Sequence, residues 1–470
     1  MNDSLVAARV DRLPISRMHR QWMFLFALPL FFDSCDISTF ASAAPALITH
    51  WHITIHEIAL ITSASFIGMF FGATLGGALS DRMGRRRALI LFVWISSLGS
   101  LATAAVPSVA YLFGARVVTG FGISAGMVTV MTYIAELYPA RSRGTWQSWA
   151  MVINLCAIPL TNLVARLLVP YGEQGWRWVF VWGALGLVFP LLVRRLPESP
   201  RWSVRVGRFD EAEAAVAAME ARALADGHVL SEPQVVARPQ DVHEPWTTMF
   251  NSVYRRRTLT LCAIWLLQTL GFYGFEAWVP TLLVNHGITI AKSLTYFTLI
   301  NVGAPLGALL AVYPADRFER KHLIAAVALA IAVFGLFYGL SFTPVLIVTF
   351  GFAVGMLTQT FATLLYSYTP EQFPTSVRNS ATGLTYGAGR LVNVANAFVI
   401  AAIYTNFGYV TVFMYVAGAW FLTALITLMF GPRTTGRSLE TLNPAVEGAA
   451  TGAALGQSTS TSFDTRRTMP

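Results

Sequence analysis

The chain has 470 residues, of which 55% are hydrophobic and only 12% are charged, and its mean hydropathy is +0.56. A water-soluble fold of this composition is excluded, because it would expose too much apolar surface to solvent. The net charge of +9 at pH 7 could indicate nucleic-acid binding, but the positions of the basic residues along the chain explain it otherwise.

The first 21 residues are polar and contain four arginines. The apolar run that follows is too long and too poorly flanked for a cleaved signal peptide. We therefore predict a cytoplasmic tail over 1–21, ahead of a first membrane span.

Twelve apolar segments follow, each near the roughly 20 residues that a helix needs to cross the hydrocarbon core. Helices are expected because each one satisfies its own backbone hydrogen bonds inside lipid. We number them spans 1 to 12 and predict them at 22–46, 58–79, 87–105, 109–134, 145–168, 177–196, 258–283, 292–314, 322–340, 344–369, 380–404 and 409–431.

The basic residues sort by side of the membrane. All but five of the 33 Lys and Arg fall on one side of the membrane, which holds the termini, the central loop and every second connecting loop. The five exceptions are Arg116 and Arg390 inside spans, and Arg166, Arg177 and Lys292 at the opposite face. This asymmetry follows the positive-inside rule, so both termini and the central loop are predicted to be cytoplasmic, and nucleic acid is not needed as a partner.

Two polar stretches divide the chain into domains. The central loop over 197–257 contains an Ala- and Glu-rich segment that predicts a short surface helix. The tail over 432–470 is rich in Gly, Ala, Ser and Thr, which predicts disorder over most of its length. The two six-span halves are then 22–196 and 258–431.

The halves superimpose in sequence at one constant offset of 235 residues. A register held over this length predicts a duplication, and hence an all-α membrane protein with two pseudo-symmetric six-helix bundles. The offset relates Pro45 to Pro280, Gly68 to Gly303, Gly72 to Gly307, Asp81 to Asp316, Arg82 to Arg317, Arg85 to Arg320, Gly120 to Gly355, Tyr133 to Tyr368, Glu136 to Glu371, Pro139 to Pro374 and Arg143 to Arg378.

Several short motifs resemble the major facilitator superfamily. The stretch GGALSDRMGRRR (76–87) is similar to its loop between spans 2 and 3, and YPADRFERK (313–321) is a degenerate copy. RVVTGFG (116–122) resembles a span 4 motif whose Arg is linked to proton coupling. PESPRW (197–202) and TTGRSLE (434–440) resemble the sugar porter branch and its metabolite symporter relatives. The resemblance covers residues 22–440.

Other motifs favour the metabolite symporters over the sugar porters. Span 7 has only Gln268 where sugar porters usually carry paired glutamines, and span 10 reads GMLTQTF (355–361) in place of a Gly-Pro-x-x-Trp pattern. FFDSCDISTFASAAPAL (31–47) and YTPEQFPTSVRNSATG (368–383) resemble the metabolite:proton symporters related to niacin transporters, synaptic vesicle protein 2 and the organic ion transporters. Ser148 to Leu168 lacks the glycines that drug antiporters usually carry in span 5, which favours import by symport.

Ionisable side chains at membrane depth are candidates for function, because their burial in lipid is costly. Asp33 and Asp36 share one face of span 1, and either could carry the transported proton, with Asp36 also a candidate for substrate contact. By resemblance, Arg116 would sense their protonation. The alternative for all three is helix packing. Glu276 is a weaker candidate, as a wetted charge near the end of span 7.

Arg390 lies near the middle of span 11, where the first half has Leu155. A guanidinium that breaks the repeat can bind a carboxylate through two hydrogen bonds, although an ion pair with a span 1 aspartate is an alternative. The superfamily lines its cavity with spans 1, 4, 7 and 10. Gln268 and Tyr273 are preferred there, since Gly271 and Gly274 should loosen span 7. The other candidates, each open to a plain packing role, are Phe272, Trp278, Asn301, Gln359, Tyr366, Tyr386 and Asn393.

The loop motifs predict gating at the cytoplasmic face, through helix contacts at glycine and ion pairs at the helix ends. Glu136 with Arg143, and Glu371 with Arg378, are the expected pairs, and a purely topogenic role for the arginines is the alternative. The candidate gating residues are Gly76, Asp81, Arg82, Gly84, Arg85, Arg86, Glu136 and Arg143 in the first half, and Asp316, Arg317, Arg320, Glu371 and Arg378 in the second.

Neither a metal site nor a catalytic site is predicted. His50, His52 and His56 cluster near the outer ends of spans 1 and 2 without a thiol, which favours interface solvation. No nucleophile elbow, phosphate loop or paired catalytic carboxylate is found, so no enzyme and no cofactor are expected.

The leading hypothesis is proton-coupled import of a small aromatic or heteroaromatic carboxylate such as niacin, by a monomer in a bacterial-type inner membrane. A sugar or polyol symporter is the first alternative, and a solute receptor that does not translocate is the second.

Overall fold

The computed structural model describes residues 3–193, 196–233, 246–251, 254–312, 318–373 and 377–433. Regular secondary structure in these ranges is helical throughout, and twelve helices are long and apolar enough to cross a membrane. The predicted fold class is confirmed. Spans 1 to 12 are Arg17–Trp51, Ile55–Met83, Arg85–Ala104, Val109–Leu137, Arg143–Leu168, Gly175–Val193, Arg255–Glu276, Ile290–Ala311, Arg320–Gly339, Pro344–Glu371, Ala381–Phe407 and Tyr409–Phe430.

Two spans depart from regular α-helix. Span 6 passes through a short 3-10 helix at Ala184–Val188 before it ends. Span 7 was predicted to continue to residue 283, but it ends at Glu276, and a separate short helix runs over Val279–Asn285. Pro280 lies in the first turn of that short helix, where its missing N–H and fixed φ are tolerated.

The predicted loosening of span 7 at its glycines is wrong. Gly271 and Gly274 lie inside the continuous helix. A Cβ at Gly271 would collide with the indole of Trp420, and one at Gly274 would press on Val416. These glycines therefore allow span 12 to pack closely, and the helix breaks beyond them.

Contacts repeat between the halves at the offset found in the sequence. The Tyr133 hydroxyl donates to the Pro197 carbonyl, and Tyr368 donates to Pro432. Arg85 pairs with Glu136 as Arg320 pairs with Glu371. Glycines of spans 2 and 8 lie against backbone carbonyls of spans 4 and 10 in matching pairs, which are Gly68 with Val117, Gly303 with Phe352, Gly72 with Phe121 and Gly307 with Met356.

The two halves meet over the middle and one end of the bundle. We call the end where span 1 begins at Arg17 the basic end, and the end between spans 1 and 2 the distal end. One hydrophobic core joins Leu47 near the distal end of span 1 to Phe275 of the second half. The Ser63 hydroxyl donates to the Val394 carbonyl at 2.7 Å. These contacts close the molecule at its distal end.

The segment ahead of span 1 contains a helix that the sequence analysis did not predict. A helix over Asp3–Asp11 packs against the central-loop helix Phe209–Ala225. Arg9 and Arg12 both bind the Glu220 carboxylate, at 2.8 and 2.6 Å. Burial opposes the charge on Glu220, but the hydrogen bonds from these arginines prevail and lower its pKa. The partners are distant in sequence, so no local pattern predicts this docking. The predicted disordered tail after residue 433 lies outside the described residues.

Candidate functional site

A buried ion pair joins spans 1 and 4. Arg116 Nη1 donates to Asp36 Oδ2 at 2.7 Å, and Arg116 Nε donates to the Ser65 hydroxyl of span 2 at 3.0 Å. The guanidinium also lies 5.3 Å from the centre of the Phe40 ring. Both charged side chains are less than 5% exposed. Removal of either partner from a pair this deeply buried would leave the other without compensation for its burial.

Asp33 occupies different surroundings one helical turn earlier. Its carboxylate is buried, and its Oδ2 has no hydrogen-bond partner among the described residues. Both aspartates line a cavity of about 10 Å³ together with Ser96, Ser97 and Ser100 of span 3. That volume is on the order of a single water molecule. The two aspartates therefore face the interior of the first six-helix bundle.

Arg390 lies where the two halves meet. From span 11 its Nη1 donates to the Ser124 hydroxyl of span 4, and its Nη2 donates to the Tyr386 hydroxyl, each at 2.5 Å. Within the described ranges no carboxylate pairs with it, so the alternative of an ion pair with a span 1 aspartate is not observed. Its guanidinium retains N–H donors beyond those two bonds to neutral hydroxyls.

Three aromatic rings accompany Arg390. Trp265 of span 7 lies 5.0 Å from Tyr366 of span 10 and 5.1 Å from Tyr386, measured between ring centres. The Arg390 guanidinium lies 4.8 Å from the Tyr386 ring centre. This combination of apolar walls with a few aimed polar groups is typical of small-molecule sites.

A second cavity, of about 40 Å³, lies between the halves on the distal side of Arg390. Arg116 and Ser65 line it from the first half, and Tyr273 and Glu276 line it from span 7. Tyr273 packs edge-on against Phe66 of span 2, with the ring centres 4.7 Å apart. The volume accommodates a few waters and is much smaller than the roughly 300 Å³ of a typical ligand site, because the distal end is closed.

Comparison with known proteins assigns the family. The model of the sugar (and other) transporter family matches residues 30–445. The chain belongs to this family. It is accordingly a multi-pass membrane transporter of the major facilitator superfamily, and it is not an enzyme.

Relatives of this transporter are metabolite carriers. YyaJ of Bacillus subtilis, which is named as a metabolite transport protein, is 42% identical, with 93% of this chain and 97% of that one covered. The niacin transporter NiaP of Acinetobacter baylyi is 27% identical, with 93% and 99% covered. The 4-hydroxybenzoate transporter PcaK of Pseudomonas aeruginosa is 28% identical, with 85% and 89% covered. These names agree with the resemblance to the metabolite branch.

The fold has solved counterparts. The partially occluded inward-open structure of the xylose transporter XylE from Escherichia coli superimposes with a TM-score of 0.71 at 19% identity, covering 88% of this chain and 98% of that one. At this identity the similarity shows the fold alone.

The structure separates the predicted binding residues of the transporter into groups. Tyr366, Tyr386 and Arg390 come together, while Tyr273 stacks edge-on with Phe272 at 4.8 Å beside the larger cavity. Trp278 does not line either cavity, because span 7 ends before it and its ring is 2% exposed in the hydrophobic core.

The polar residues predicted to bind substrate differ in their burial and in their hydrogen bonds. Gln268 is 9% exposed and donates to the neighbouring Thr269 hydroxyl. Asn301 and Asn393 are buried, each with an amide nitrogen that lacks a partner among the described residues. Gln359 is half-buried in span 10, and its side chain makes no hydrogen bond to the site among the described residues.

The predicted gating residues centre on Arg85 at the basic end. Its guanidinium contacts Asp81 at 2.5 Å and Glu136 at 2.8 Å. The expected pair of Glu136 with Arg143 is not formed, because Arg85 occupies that carboxylate and Arg143 is exposed at the start of span 5. The contacts tie the first half together internally.

The other gating residues surround Arg85. The Glu198 carboxylate accepts the backbone N–H groups of Arg85 and Arg86. Gly84, at φ +94°, leaves room for that carboxylate, and Gly76 lies against Ala125 of span 4. Arg82 is exposed, Asp316 and Arg317 lie outside the described residues, and so does the Arg378 side chain, which leaves its pairing with Glu371 undescribed.

Sequence reasoning missed two parts of the site and ranked a third only as a weaker candidate. Ser124 and Trp265 have ordinary packing roles in most helices, so nothing marks them before the halves are assembled. Glu276 carried a signal, as a carboxylate in an apolar span, but its position near the span end indicated a wetted charge. In the structure its Oε1 is buried and has no hydrogen-bond partner in the described part of the chain.

Proposed function

We propose that this transporter imports a small aromatic or heteroaromatic monocarboxylate, with niacin as the first candidate, by proton symport and alternating access. The membrane would be a bacterial-type inner membrane, with the basic end in the cytoplasm, and the working unit a monomer. The observation that carries the proposal is Arg390. It is a guanidinium between the halves, hydrogen-bonded to neutral hydroxyls and flanked by Trp265, Tyr366 and Tyr386.

The chemistry of this group fits the proposed substrate. A guanidinium fork can bind a carboxylate through two parallel hydrogen bonds, and aromatic side chains can pack on a planar ring. Relatives named for niacin and 4-hydroxybenzoate support the same class of substrate.

Proton coupling is assigned to Asp36 and Arg116, with Asp33 beside them. Asp36 is the aspartate that meets a cation, and protonation would remove the charge that holds Arg116. The equilibrium between outward and inward states would then depend on that proton, because a ligand shifts the equilibrium toward the state that binds it better.

Two rival functions remain to be tested. The family name and the PESPRW and TTGRSLE motifs favour a sugar or polyol symporter. A receptor that binds a solute without translocating it is the second rival, and it would show binding without counterflow.

Uptake into proteoliposomes separates these functions. With an inward proton gradient, labelled nicotinate should accumulate, benzoate should compete and xylose should not. Accumulation of xylose without nicotinate would replace the proposed substrate by a sugar, and dissipating the gradient should reduce nicotinate uptake to equilibration.

Arg390→Lys tests the anion site within the same assay. Lysine keeps the charge but loses the fork, so about 1.5–3 kcal/mol of charge-assisted bonding should be lost. The expected result is a roughly 10- to 100-fold weaker nicotinate affinity. Arg166→Lys, at an exposed position of span 5, is the matched control. Full affinity in Arg390→Lys would contradict the assignment.

A further inference from the structure

Glu276 is a half-buried carboxylate that the proposed mechanism does not use, and its Oε1 is buried. It is the last residue of span 7, and it lines the 40 Å³ cavity from the second half. Arg116 and Ser65 enter the same cavity from the first half. The cavity thus brings one carboxylate and one guanidinium together from opposite halves of the transporter.

The groups that face Glu276 are few. Arg116 lines the same cavity from span 4, and Tyr273 lies one turn earlier on the helix of Glu276. Glu276 and Arg390 of span 11 both lie near Tyr273. The neutral Asn301 approaches from span 8. Spans 1 and 2 line the cavity only with groups that carry no charge, such as Thr62 and Ser65 in span 2.

Arg116 is tied wholly within the first half in this structure. Its two hydrogen bonds to described side chains go to Asp36 and Ser65, through Nη1 and Nε. A guanidinium has five N–H donors, so its remaining donors are available to another acceptor. Asp36 makes its own contacts inside the same half, and it therefore has no direct means of acting on the second half.

We propose that Glu276 is a second carboxylate for Arg116 and that it transmits the protonation of Asp36 across the interface. The inference rests on the proposed proton symport. A proton from the distal side adds to the Asp36 carboxylate and removes its charge. Arg116 then pairs with Glu276 across the cavity, which holds the distal end closed. When the proton leaves Asp36 toward the basic end, Arg116 returns to it and the distal end can reopen.

The structure corresponds to the proton-released step of this sequence. The distal end is closed by apolar packing and by the Ser63 contact with Val394, while Arg116 is on Asp36. The distal end can thus close without the Arg116–Glu276 pair, and the pair would stabilise the closed state further. This makes Glu276 a positioning residue for proton coupling.

The test measures distal closure directly and needs no substrate. Spin labels at two exposed distal positions, Tyr171 in the first half and Phe342 in the second, report the distance between the halves by electron–electron resonance. In the full-length protein, acidification should increase the short-distance population. Asp36→Asn, which mimics the protonated state, should keep that population high at acidic and alkaline pH.

Glu276→Gln should remove both effects. The double variant Asp36→Asn with Glu276→Gln should return to the wild-type distribution at alkaline pH, and Glu276→Gln alone should lose the response to acid. Glu276→Asp should retain part of it. Glu173→Gln changes an exposed distal carboxylate and should behave as the wild type.

Three outcomes overturn the inference, and they are distinguishable. If the acid response persists unchanged in Glu276→Gln, the role of Glu276 is overturned while the proton coupling stands. This outcome can be read even if Asp36→Asn fails to fold. A double variant as closed as Asp36→Asn does the same. A wild-type protein whose distances ignore both pH and Asp36→Asn would overturn the proton coupling itself, and the inference with it.

Discussion

Asp33 and Asp36 lie on one helical face, but they are not equivalent. Arg116 binds Asp36, while Asp33 Oδ2 has no described partner. The spacing in the sequence predicts the shared face and cannot choose between the residues, because the choice depends on which aspartate span 4 approaches. The sequence likewise identified Arg390 as a cation inside an apolar span. Its neighbour Ser124 became visible only in the assembled structure, where the two halves meet.

Removing one member of the buried pair should be costly. Arg116→Met leaves Asp36 as an uncompensated buried charge, and breaking such pairs costs about 3–5 kcal/mol. The double variant Asp36→Leu with Arg116→Met should recover most of that loss, because apolar pairs often replace buried ion pairs without penalty. Thermal unfolding in detergent measures both. Asp33→Asn should cost less than Arg116→Met, and an equal loss would contradict the assigned pairing.

At the scale of helices, contact between spans 2 and 4 depends on glycines. A Cβ at Gly76 would collide with Ala125, whereas one at the adjacent Gly77 would meet nothing closer than Val128 Cγ1 at 3.9 Å. The sequence motif contains both glycines and does not distinguish them. Only the rotation of span 2 against span 4 decides which one is needed.

The two positions give a matched pair of variants. Gly76→Ala should lower the free energy of unfolding by about 1–3 kcal/mol, because the helices must move apart to admit the methyl group. Gly77→Ala should be neutral or gain up to about 1 kcal/mol from helix propensity. Thermal unfolding of each in detergent is the measurement. A larger loss in Gly77→Ala would show that the helices pack in another rotation.

Docking of the N-terminal helix Asp3–Asp11 should depend on pH. The pKa of Glu220 is lowered from 4.5 in the docked state, so its contribution is complete above that value and is lost as the pH falls below it. A nitroxide at Leu5→Cys, with Cys156 and Cys262 replaced, should become more mobile in acid. The label should be mobile in Glu220→Gln at neutral pH. It should stay immobile in Glu211→Gln, because the ion pair described for Glu211 is with Arg208. An immobile label in Glu220→Gln would mean that other contacts hold the helix, such as the packing of Val6 and Val10 against Val216 or the pair of Arg9 with Glu213.

For the molecule as a whole, the interface between the halves is the part that must change during transport. The distal contacts, among them Ser63 with Val394, hold the halves together in this structure. Contacts within each half recur at the 235-residue offset, as at Arg85 with Glu136 and Arg320 with Glu371. We expect the halves to move as units, with the distal contacts broken and remade.

Locking that interface should stop transport. A cleavable thiol cross-linker between Ser63→Cys and Val394→Cys, in a background without Cys156 and Cys262, should abolish uptake. Cleaving the linker should restore it. Ser63→Cys alone, treated in the same way, is the control. Undiminished uptake by the cross-linked protein would contradict movement at this contact.

The sequence by itself determined the spans, the duplication, the family and the buried charges. Each of these depends on local hydropathy or on a repeated pattern, and twelve helices were found near their predicted places. It also indicated that Asp36, Arg116 and Arg390 are functional candidates, because charge in an apolar segment is visible without a fold.

Only the tertiary structure decided which groups meet. The break of span 7 at Glu276, the partner of Glu136 and the docking of Asp3–Asp11 all depend on contacts between residues far apart in the chain. Hydropathy describes a single helix in lipid and carries no information about its rotation toward its neighbours. The pairing of charges is set by that rotation, which the packing of small and large side chains fixes when the twelve helices assemble.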